Sequence, residues 1–233
     1  MRDRPSPPAR PATRRVALAV DVVTLSPRDD GLAVLLVPSV AGARERWSLP
    51  WDGPRDDERL EEAGARVARA LLGAVPTLVE QVGAASDGRR HPGGADLSVG
   101  VLALSPLDNE APASGSGAAW FRLDALPALA PRHRDMVDRA AIAVRQRLDH
   151  SPIAFRLLPA TFTLSELQRI YELLLGRRLH KASFRRALQG SFLVEPTDAW
   201  RSEGRGRPAQ LFRFAPKKRR RTSRSVRFDL SSE

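Results

Sequence analysis

The chain has 233 residues, of which 42% are hydrophobic and 28% charged, a composition typical of globular proteins that bury a core. It contains no cysteine, which excludes disulfide bonds, thiolate catalysis and cysteine-ligated zinc, and we expect a cytoplasmic protein. The net charge of +11 is uneven, because residues 151–233 hold 18 Lys and Arg against 7 Asp and Glu while the rest is neutral. This asymmetry predicts two units, one neutral and one that binds a polyanion.

The first part of the chain predicts an α/β/α sandwich. Residues 1–14 are basic and proline-rich, with no apolar run long enough for a signal peptide or membrane span, and we expect a disordered arm there. Aliphatic runs bounded by turn signals predict strands at 14–26, 29–39, 77–86, 96–105 and, briefly, from 119. Apolar residues at helical spacing predict helices at 58–74 and 132–151. Strands with one helix in the middle and one at the end fit a sandwich over residues 15–150.

After residue 150 the pattern changes to that of a winged helix-turn-helix domain. Helices are predicted at 163–176, with Ser165 as N-cap and Gly176 as C-cap, and at 180–191. Strands at 192–200 and 211–214 flank a loop rich in Arg and Gly. Helix, turn, helix and hairpin is the order of a winged helix, which we expect over residues 151–216. A basic, flexible tail at 217–233 follows, and the predicted fold class is α+β.

One stretch of the first unit, LPWDGPRDDERLEEAGARVARALLG, resembles the Nudix box, G-x5-E-x7-R-E-U-x-E-E-x-G-U, where U is aliphatic. Glu58 takes the place of the first Glu in this alignment, and Arg66 and Gly73 take those of the Arg and the late Gly. Asp52 stands at the first Gly of the box. The resemblance implies a Nudix fold for residues 15–150.

The remaining glutamates of the box, which hold Mg²⁺ against a pyrophosphate, are replaced by Val67, Ala70 and Leu71. Metal-assisted hydrolysis needs clustered carboxylates to fix the cation, and aliphatic side chains supply no ligand. We therefore predict a Nudix-like unit that is not an enzyme, with no catalytic residues, no metal and no required cofactor. Two alternatives are an active pyrophosphatase acting on ADP-ribose or another nucleoside diphosphate derivative, and a nucleic-acid scaffold with a purely structural first unit.

A Nudix-like cleft without hydrolysis can still bind a nucleotide. Arginine recognises phosphate through paired hydrogen bonds, and tryptophan offers a flat stacking surface. His91 has no second histidine nearby at ligand spacing, so a metal role for it is not expected. The predicted effector-binding residues are Arg46, Trp47, Glu58, Arg66, Arg89, Arg90 and His91.

The second unit carries the pieces LQRIYE, FRR and GRPAQLFRF in an order and spacing that resemble the winged-helix domain of Nudix-related transcriptional regulators of NAD metabolism, the NrtR-like family. Together with the first unit, the resemblance covers residues 15–214. It implies a repressor of genes of NAD or ADP-ribose-related metabolism that senses ADP-ribose or a related nucleotide. It further implies a homodimer that binds a palindromic operator in double-stranded DNA, with no membrane partner.

The residues of the second unit predict DNA contact independently of this resemblance. On the outward face of its second helix, arginine is suited to read guanine and glutamine to read adenine in the major groove. Arginines of the wing loop and of the turn between the helices are suited to contact phosphates. Five aromatics are expected in the core of this unit rather than on a stacking surface: Phe162, Phe184, Phe192, Phe212 and Phe214. The predicted DNA-binding residues are Arg177, Arg178, Lys181, Ser183, Arg185, Arg186, Gln189, Arg201, Arg205 and Arg207.

Overall fold

A computed structural model describes residues 16–28, 31–86, 91–106, 112–148, 151–202 and 208–215. The predicted arm and tail lie outside these residues, as do Arg89, Arg90, Arg205 and Arg207. Within the described ranges, no helix has the length and apolar character needed to cross a membrane.

The first unit contains one sheet, whose strands are β1 (Leu18–Arg28), β2 (Gly31–Pro38), β3 (Trp47–Ser48), β4 (Trp51–Asp52), β5 (Leu78–Ala85), β6 (Leu97–Leu104) and β7 (Ala119–Arg122). The order is β3-β2-β1-β6-β5, with β4 beside β1 and β7 beside β2. β1 and β2 form an antiparallel hairpin, and β1 runs parallel to β6. The two-residue strands β3 and β4 were not predicted, because neither is long enough to show an alternating pattern.

Two helices, α1 (Leu60–Leu72) and α2 (Pro131–Arg147), cover opposite faces of this sheet. Successive side chains of a strand point to opposite faces. Val20 and Val22 of β1 therefore pack in the cluster beneath α1, whereas Val23 and Leu25 pack in the cluster beneath α2. Asp21 shares the α2 face by the same alternation. The predicted α/β/α sandwich is confirmed.

A glycine sets the distance between α1 and the sheet. A Cβ added to Gly64 lies 2.5 Å from Cγ1 of Val101 on β6, well inside van der Waals contact. Glycine in a helix interior costs about 0.5–1 kcal/mol relative to alanine. The close packing of the helix on the sheet offsets this cost, and it holds the residues of the Nudix-like stretch against the sheet.

The second unit is the predicted winged helix, with β8 (Thr161–Phe162), α3 (Leu164–Leu175), α4 (Lys181–Ser191), β9 (Val194–Arg201) and β10 (Ala209–Phe214). Its strands are ordered β8-β10-β9. The N-cap of α3 is Thr163 and not Ser165: Thr163 Oγ1 accepts from Glu166 N at 3.1 Å, and Thr163 N donates to Glu166 Oε2 at 2.7 Å. This capping box places the N-cap two residues before the predicted one, while the helix lies within its predicted bounds. Gly176 ends the helix in the left-handed conformation, as predicted.

The two units share one hydrophobic core. The cluster beneath α2 continues through a short 3-10 helix (Ile153–Leu157) into the winged helix. It joins Met136 and Val144 of α2 to Leu167 and Ile170 of α3, and reaches Phe184 of α4. Because buried side chains pack at close to crystal density, a displacement of α2 must be transmitted to the base of α3.

Candidate functional site

Arg66 is held at the centre of an ion-pair cluster that ties the loop before α1 to the helix. Its Nε and Nη2 donate to the two oxygens of Glu58 at 2.8 and 2.9 Å, and Nη1 donates to Asp52 Oδ2 at 2.6 Å. Nη2 also donates to the carbonyl of Gly53 at 3.0 Å. Four of the five guanidinium N–H groups are thus engaged within the protein, so Arg66 has little capacity left for a phosphate.

The same hydrogen bonds determine the ionisation of the cluster. The Arg66 guanidinium, together with a backbone hydrogen bond from Arg55, lowers the pKa of Glu58 to about 2. Hydrogen bonding by Arg66 also lowers the pKa of Asp52, and the two carboxylates raise that of Arg66. All three groups are therefore charged at neutral pH.

The three aliphatic residues at the glutamate positions of the Nudix box lie on α1. Val67 and Leu71 are half-buried against the apolar cluster beneath the helix, and Ala70 is exposed. The glutamates that α1 does carry contact protein groups: Glu61 accepts from Gln81 at 2.8 Å, and Glu62 accepts from the backbone N–H of Arg59 at 3.0 Å.

Arg46 and Trp47 lie at the edge of the sheet. Arg46 is exposed. Trp47 is half-buried on β3, and its ring packs edge-on against Phe121 of β7 with 4.7 Å between centroids. One side of the indole is thus used by the protein. Effector contact by either residue remains a prediction.

His91 lies inside the protein, where it forms a buried cluster with Asp21 of β1 and His133 of α2. His91 Nε2 lies 2.7 Å from Asp21 Oδ1, and His133 Nε2 lies 3.5 Å from the same oxygen. The two Nε2 atoms are 3.3 Å apart, and all three side chains are fully buried. No second histidine lies at ligand spacing from His91 in the sequence, but the fold places His133, 42 residues further along the chain, beside it.

The hydrogen bonds of the ring nitrogens argue against a metal ion in this cluster, although its three groups are close enough to ligate one. Nδ1 of His91 accepts from the backbone N–H of Gly93 at 3.0 Å, and Nδ1 of His133 accepts from that of Leu49 at 3.0 Å. A neutral imidazole that accepts at Nδ1 carries its proton on Nε2. Metal-bound histidine needs the opposite tautomer, with a lone pair on Nε2. Both histidines therefore present N–H groups to Asp21.

Asp21 is a buried carboxylate, and both histidines face the same one of its two oxygens. Burial by itself raises its pKa, but the hydrogen bonds from His133 and His91 outweigh this and lower the pKa to about 2. Oδ1 faces both histidines, whereas the buried Oδ2 has no hydrogen-bond partner within the described part of the chain. No sequence signal marked Asp21, because an aspartate within an aliphatic strand run has the same pattern as an exposed one.

α4 presents the predicted polar face to solvent. Phe184 and Leu188 are buried, as predicted. The predicted contact residues on this helix are all exposed: Lys181, Ser183, Arg185, Arg186 and Gln189. A helix with one apolar face buried and a cationic opposite face free has the shape and charge to enter a major groove.

The arginines at the turn after α3 line a groove between the two units. This groove has a volume of about 490 Å³, and its walls carry Arg122, Arg145, Arg169, Arg177 and Arg178 together with Asp124 and Glu172. Arg178 Nη1 lies 3.3 Å from Glu172 Oε2, but its side chain is 95% exposed. Solvent screens the attraction of so exposed a guanidinium to Glu172, so Arg178 can exchange this partner for another.

Arg201 has a hydrogen-bond partner within the protein, and two of the five predicted core aromatics are exposed. Arg201 Nη1 donates to Glu166 Oε1 at 2.7 Å, which ties the wing to the start of α3. Phe192 and Phe214 are 46% and 37% exposed, so they are not core residues, although Phe162 and Phe184 are buried and Phe212 is half-buried. Phe192 is the C-cap residue of α4 and has the left-handed backbone conformation.

Comparison with known proteins covers both units. Residues 154–214 match the NrtR DNA-binding winged helix domain. The chain is 33% identical over 206 residues to the ADPR responsive transcriptional repressor NtrR of Acinetobacter baylyi, which covers 85% of this chain and 82% of that protein. The chain belongs to the NrtR family.

Solved structures support the NrtR assignment. Shewanella oneidensis NrtR complexed with a 27mer DNA is 31% identical with a TM-score of 0.72, covering 85% of this chain and 94% of that one. A MutT/nudix family protein from Enterococcus faecalis, at 21% identity and a TM-score of 0.68, shares the fold over 89% of this chain and 90% of that one. The resemblance to the Nudix and winged-helix folds is confirmed.

Membership of the NrtR family identifies the chain as a transcriptional regulator whose winged helix is a DNA-binding domain. The matched region ends at Phe214, the last residue of β10, so it contains α3, α4 and both long strands of the wing. The polar face of α4 lies within this NrtR domain.

Proposed function

We propose that the chain is a repressor that binds ADP-ribose, or a related NAD-derived nucleotide, through its Nudix-like unit and duplex DNA through its winged helix. The observation that carries this proposal is the similarity to the ADPR-responsive repressor of A. baylyi, which spans both units and not only the winged helix. The Nudix-like unit and the winged helix share one hydrophobic core, so a ligand that binds the first can alter the DNA affinity of the second.

The Nudix-like unit acts as a receptor and not as a hydrolase, and it requires no metal cofactor. The aliphatic residues at the glutamate positions offer no ligand to Mg²⁺, and both oxygens of the ionised Glu58 accept hydrogen bonds from Arg66. Chromatographic detection of AMP and ribose 5-phosphate, the two products of cleaving the pyrophosphate bond of ADP-ribose in the presence of Mg²⁺ or Mn²⁺, tests this, and we expect no turnover. Hydrolysis that is lost in Glu58→Gln would instead establish the pyrophosphatase alternative.

Arg46 and Trp47 are the residues most available to contact the effector, since Arg66 and His91 are engaged within the protein. Calorimetric titration with ADP-ribose tests this pair. We expect Arg46→Ala to weaken binding about 10-fold or more, because a hydrogen bond to a charged group contributes about 1.5–3 kcal/mol. Arg44→Ala, a change at a neighbouring exposed arginine, is the control and should leave the affinity within about two-fold.

The chain functions as a homodimer that presents two α4 helices to the half-sites of a palindromic operator. Half-sites one helical turn apart, or a multiple of it, suit such a pair. Light scattering after size exclusion should give about twice the mass of one chain. A monomer at micromolar concentration that still binds duplex DNA would contradict the dimeric part of the proposal.

The central experiment is DNA binding with and without ADP-ribose. A duplex is first selected by the wild-type protein from a random pool, and its dissociation constant is then measured by fluorescence anisotropy. We expect saturating ADP-ribose to change this constant about 5- to 150-fold, the usual range of allosteric coupling. If a large excess of ADP-ribose leaves the dissociation constant for DNA unchanged, the proposal that the Nudix-like unit regulates DNA binding through this ligand is wrong.

The same assay tests the role of α4. We expect Arg185→Ala with Arg186→Ala to weaken binding at least about 30-fold, because each good base contact contributes about 1–3 kcal/mol. If either arginine contacts phosphate instead, the slope of the logarithm of the binding constant against the logarithm of salt concentration decreases by about one for each such arginine. Arg134→Ala removes an exposed arginine of α2 that pairs with Asp138 and serves as the control for loss of charge alone.

A further inference from the structure

We propose that Asp21, His91 and His133 are positioning residues that transmit effector binding from residues 46–66, which include Arg46, Trp47, β4 and the first half of α1, to α2 and through α2 to the winged helix. This inference rests on the proposed function, since it requires an effector that changes DNA affinity. None of the three residues needs to touch the effector or the DNA. Four contacts, each between neighbouring groups, make up the route.

The first contact joins α1 to β4. Arg66 on α1 donates to Asp52 at 2.6 Å, and Asp52 is the second of the two residues of β4. β4 pairs with β1 at Val20 and Asp21, so a shift of the loop before α1 acts directly on the strand beside the buried cluster.

The second contact joins β4 to the buried cluster. Trp51, the other residue of β4, packs edge-on against His91 with 4.8 Å between ring centroids. The ring also lies against the backbone of Gly93, where an added Cβ falls 2.1 Å from two of its atoms. The indole is therefore confined between His91 and the segment that follows it, and a movement of β4 must displace His91.

The third contact contains the element that can adopt two arrangements. His91 makes a short hydrogen bond to Oδ1 of Asp21, His133 is 0.8 Å more distant from the same atom, and Oδ2 has no partner among the described residues. A buried carboxylate oxygen without a donor is costly, so an arrangement in which each histidine donates to its own oxygen gains a hydrogen bond for Oδ2 and is the alternative to the observed one. Displacement of His91 favours one arrangement over the other.

The fourth contact connects the buried cluster to the winged helix. His133 lies in the first turn of α2 and is fixed to Leu49 by the hydrogen bond at Nδ1. The rest of α2 packs through Met136 and Val144 into the core that contains α3. A shift of about 1 Å at the start of a packed helix moves the helix as a whole, which is the usual scale of helix movement in switching proteins.

Two substitutions at His133 separate this role from a merely structural one. In His133→Asn the amide oxygen occupies the position of Nδ1 and keeps the bond to Leu49 N, but the donor to Asp21 is lost. In His133→Gln the amide nitrogen occupies the position of Nε2 and keeps that donor, but the acceptor for Leu49 N is lost. Each variant therefore loses one buried hydrogen bond, and their melting temperatures should fall by similar amounts.

The readout is the ratio of the dissociation constants for the selected duplex with and without saturating ADP-ribose. If the wild-type ratio lies in the range of about 5 to 150, we expect it to fall to within about two-fold of unity in His133→Asn and to be largely retained in His133→Gln. Arg134→Ala, the neighbouring exposed residue of α2, should keep the wild-type ratio. Gly93→Ala, which displaces Trp51 without substituting either histidine, should lower it.

Each other outcome has a definite meaning. A wild-type ratio of one refutes the proposed function, and the inference with it. A normal wild-type ratio that both His133 variants retain, or lose equally, refutes the inference alone. If neither His133 variant gives a cooperative thermal transition, the test depends on Gly93→Ala. A ratio of dissociation constants in Gly93→Ala that equals that of the wild type overturns the inference.

Discussion

The replacement Asp21→Asn tests whether the buried carboxylate stabilises the fold through its charge. Asparagine has the same shape but no charge, so the variant keeps the packing of β1 and loses the ionic character of the bonds from His91 and His133. The pKa of Asp21 is about 2 against an ordinary 3.8, so the fold favours the ionised form over the neutral form by about 2 kcal/mol. We expect the variant to lose stability of that order at pH 7.

Urea unfolding at 25 °C measures this difference. Asp138→Asn is the matched control, because it removes the same charge from an exposed pair with Arg134 and should change the free energy of unfolding by less than about 0.5 kcal/mol. Since the folded pKa of Asp21 lies below the unfolded value, its contribution is complete above about pH 4 and is lost as pH falls towards 2. The difference in the free energy of unfolding between wild type and Asp21→Asn should therefore decrease below pH 4. An Asn variant as stable as wild type at pH 7, or a gap that widens below pH 4, would refute the reasoning.

Two further predictions concern stability and use thermal or urea unfolding. Gly64→Ala gains about 1 kcal/mol of helix propensity but forces α1 off the sheet at a cost of about 1–3 kcal/mol, so we expect net destabilisation. Gly190→Ala, in α4 with no atom within 4 Å of the added Cβ, should be neutral or stabilising. If the free energy of unfolding changes in the same direction in both glycine variants, the close-packing argument is contradicted. Thr163→Ala should cost about 1 kcal/mol through loss of the capping box, and Ser165→Ala less than about 0.5 kcal/mol. Equal effects at these two positions would mean that the cap is assigned to the wrong residue.

Local patterns were enough to predict the long elements. The helix periodicity of α1 and α4 and the aliphatic runs of β1 and β6 follow from which faces must be buried, and these elements appear close to the expected bounds. The N-cap of α3 was misplaced because Thr163 and Ser165 are both good caps. Each is also followed three residues later by a residue that can complete a capping box, Glu166 or Gln168, so the local sequence does not distinguish them.

The candidate site was predicted in part. Arg66 and Glu58 were identified by their spacing in a known motif, but that spacing did not reveal that Arg66 donates four hydrogen bonds within the protein. His91 was identified as a loop residue, and its burial depends on Asp21 and His133, which are 70 and 42 residues away in sequence. Contacts between such distant positions leave no periodic signal in a single sequence.

By itself the sequence determined the two-unit organisation, the cationic outward face of α4 and the aliphatic residues at the glutamate positions of α1, because burial patterns and charge are properties of short stretches of chain. Only the tertiary structure decided which ionisable groups meet inside the protein and that the two units share a core. The physical reason is that a buried carboxylate and two imidazoles acquire their partners from three elements whose relative positions are set by packing of the whole domain.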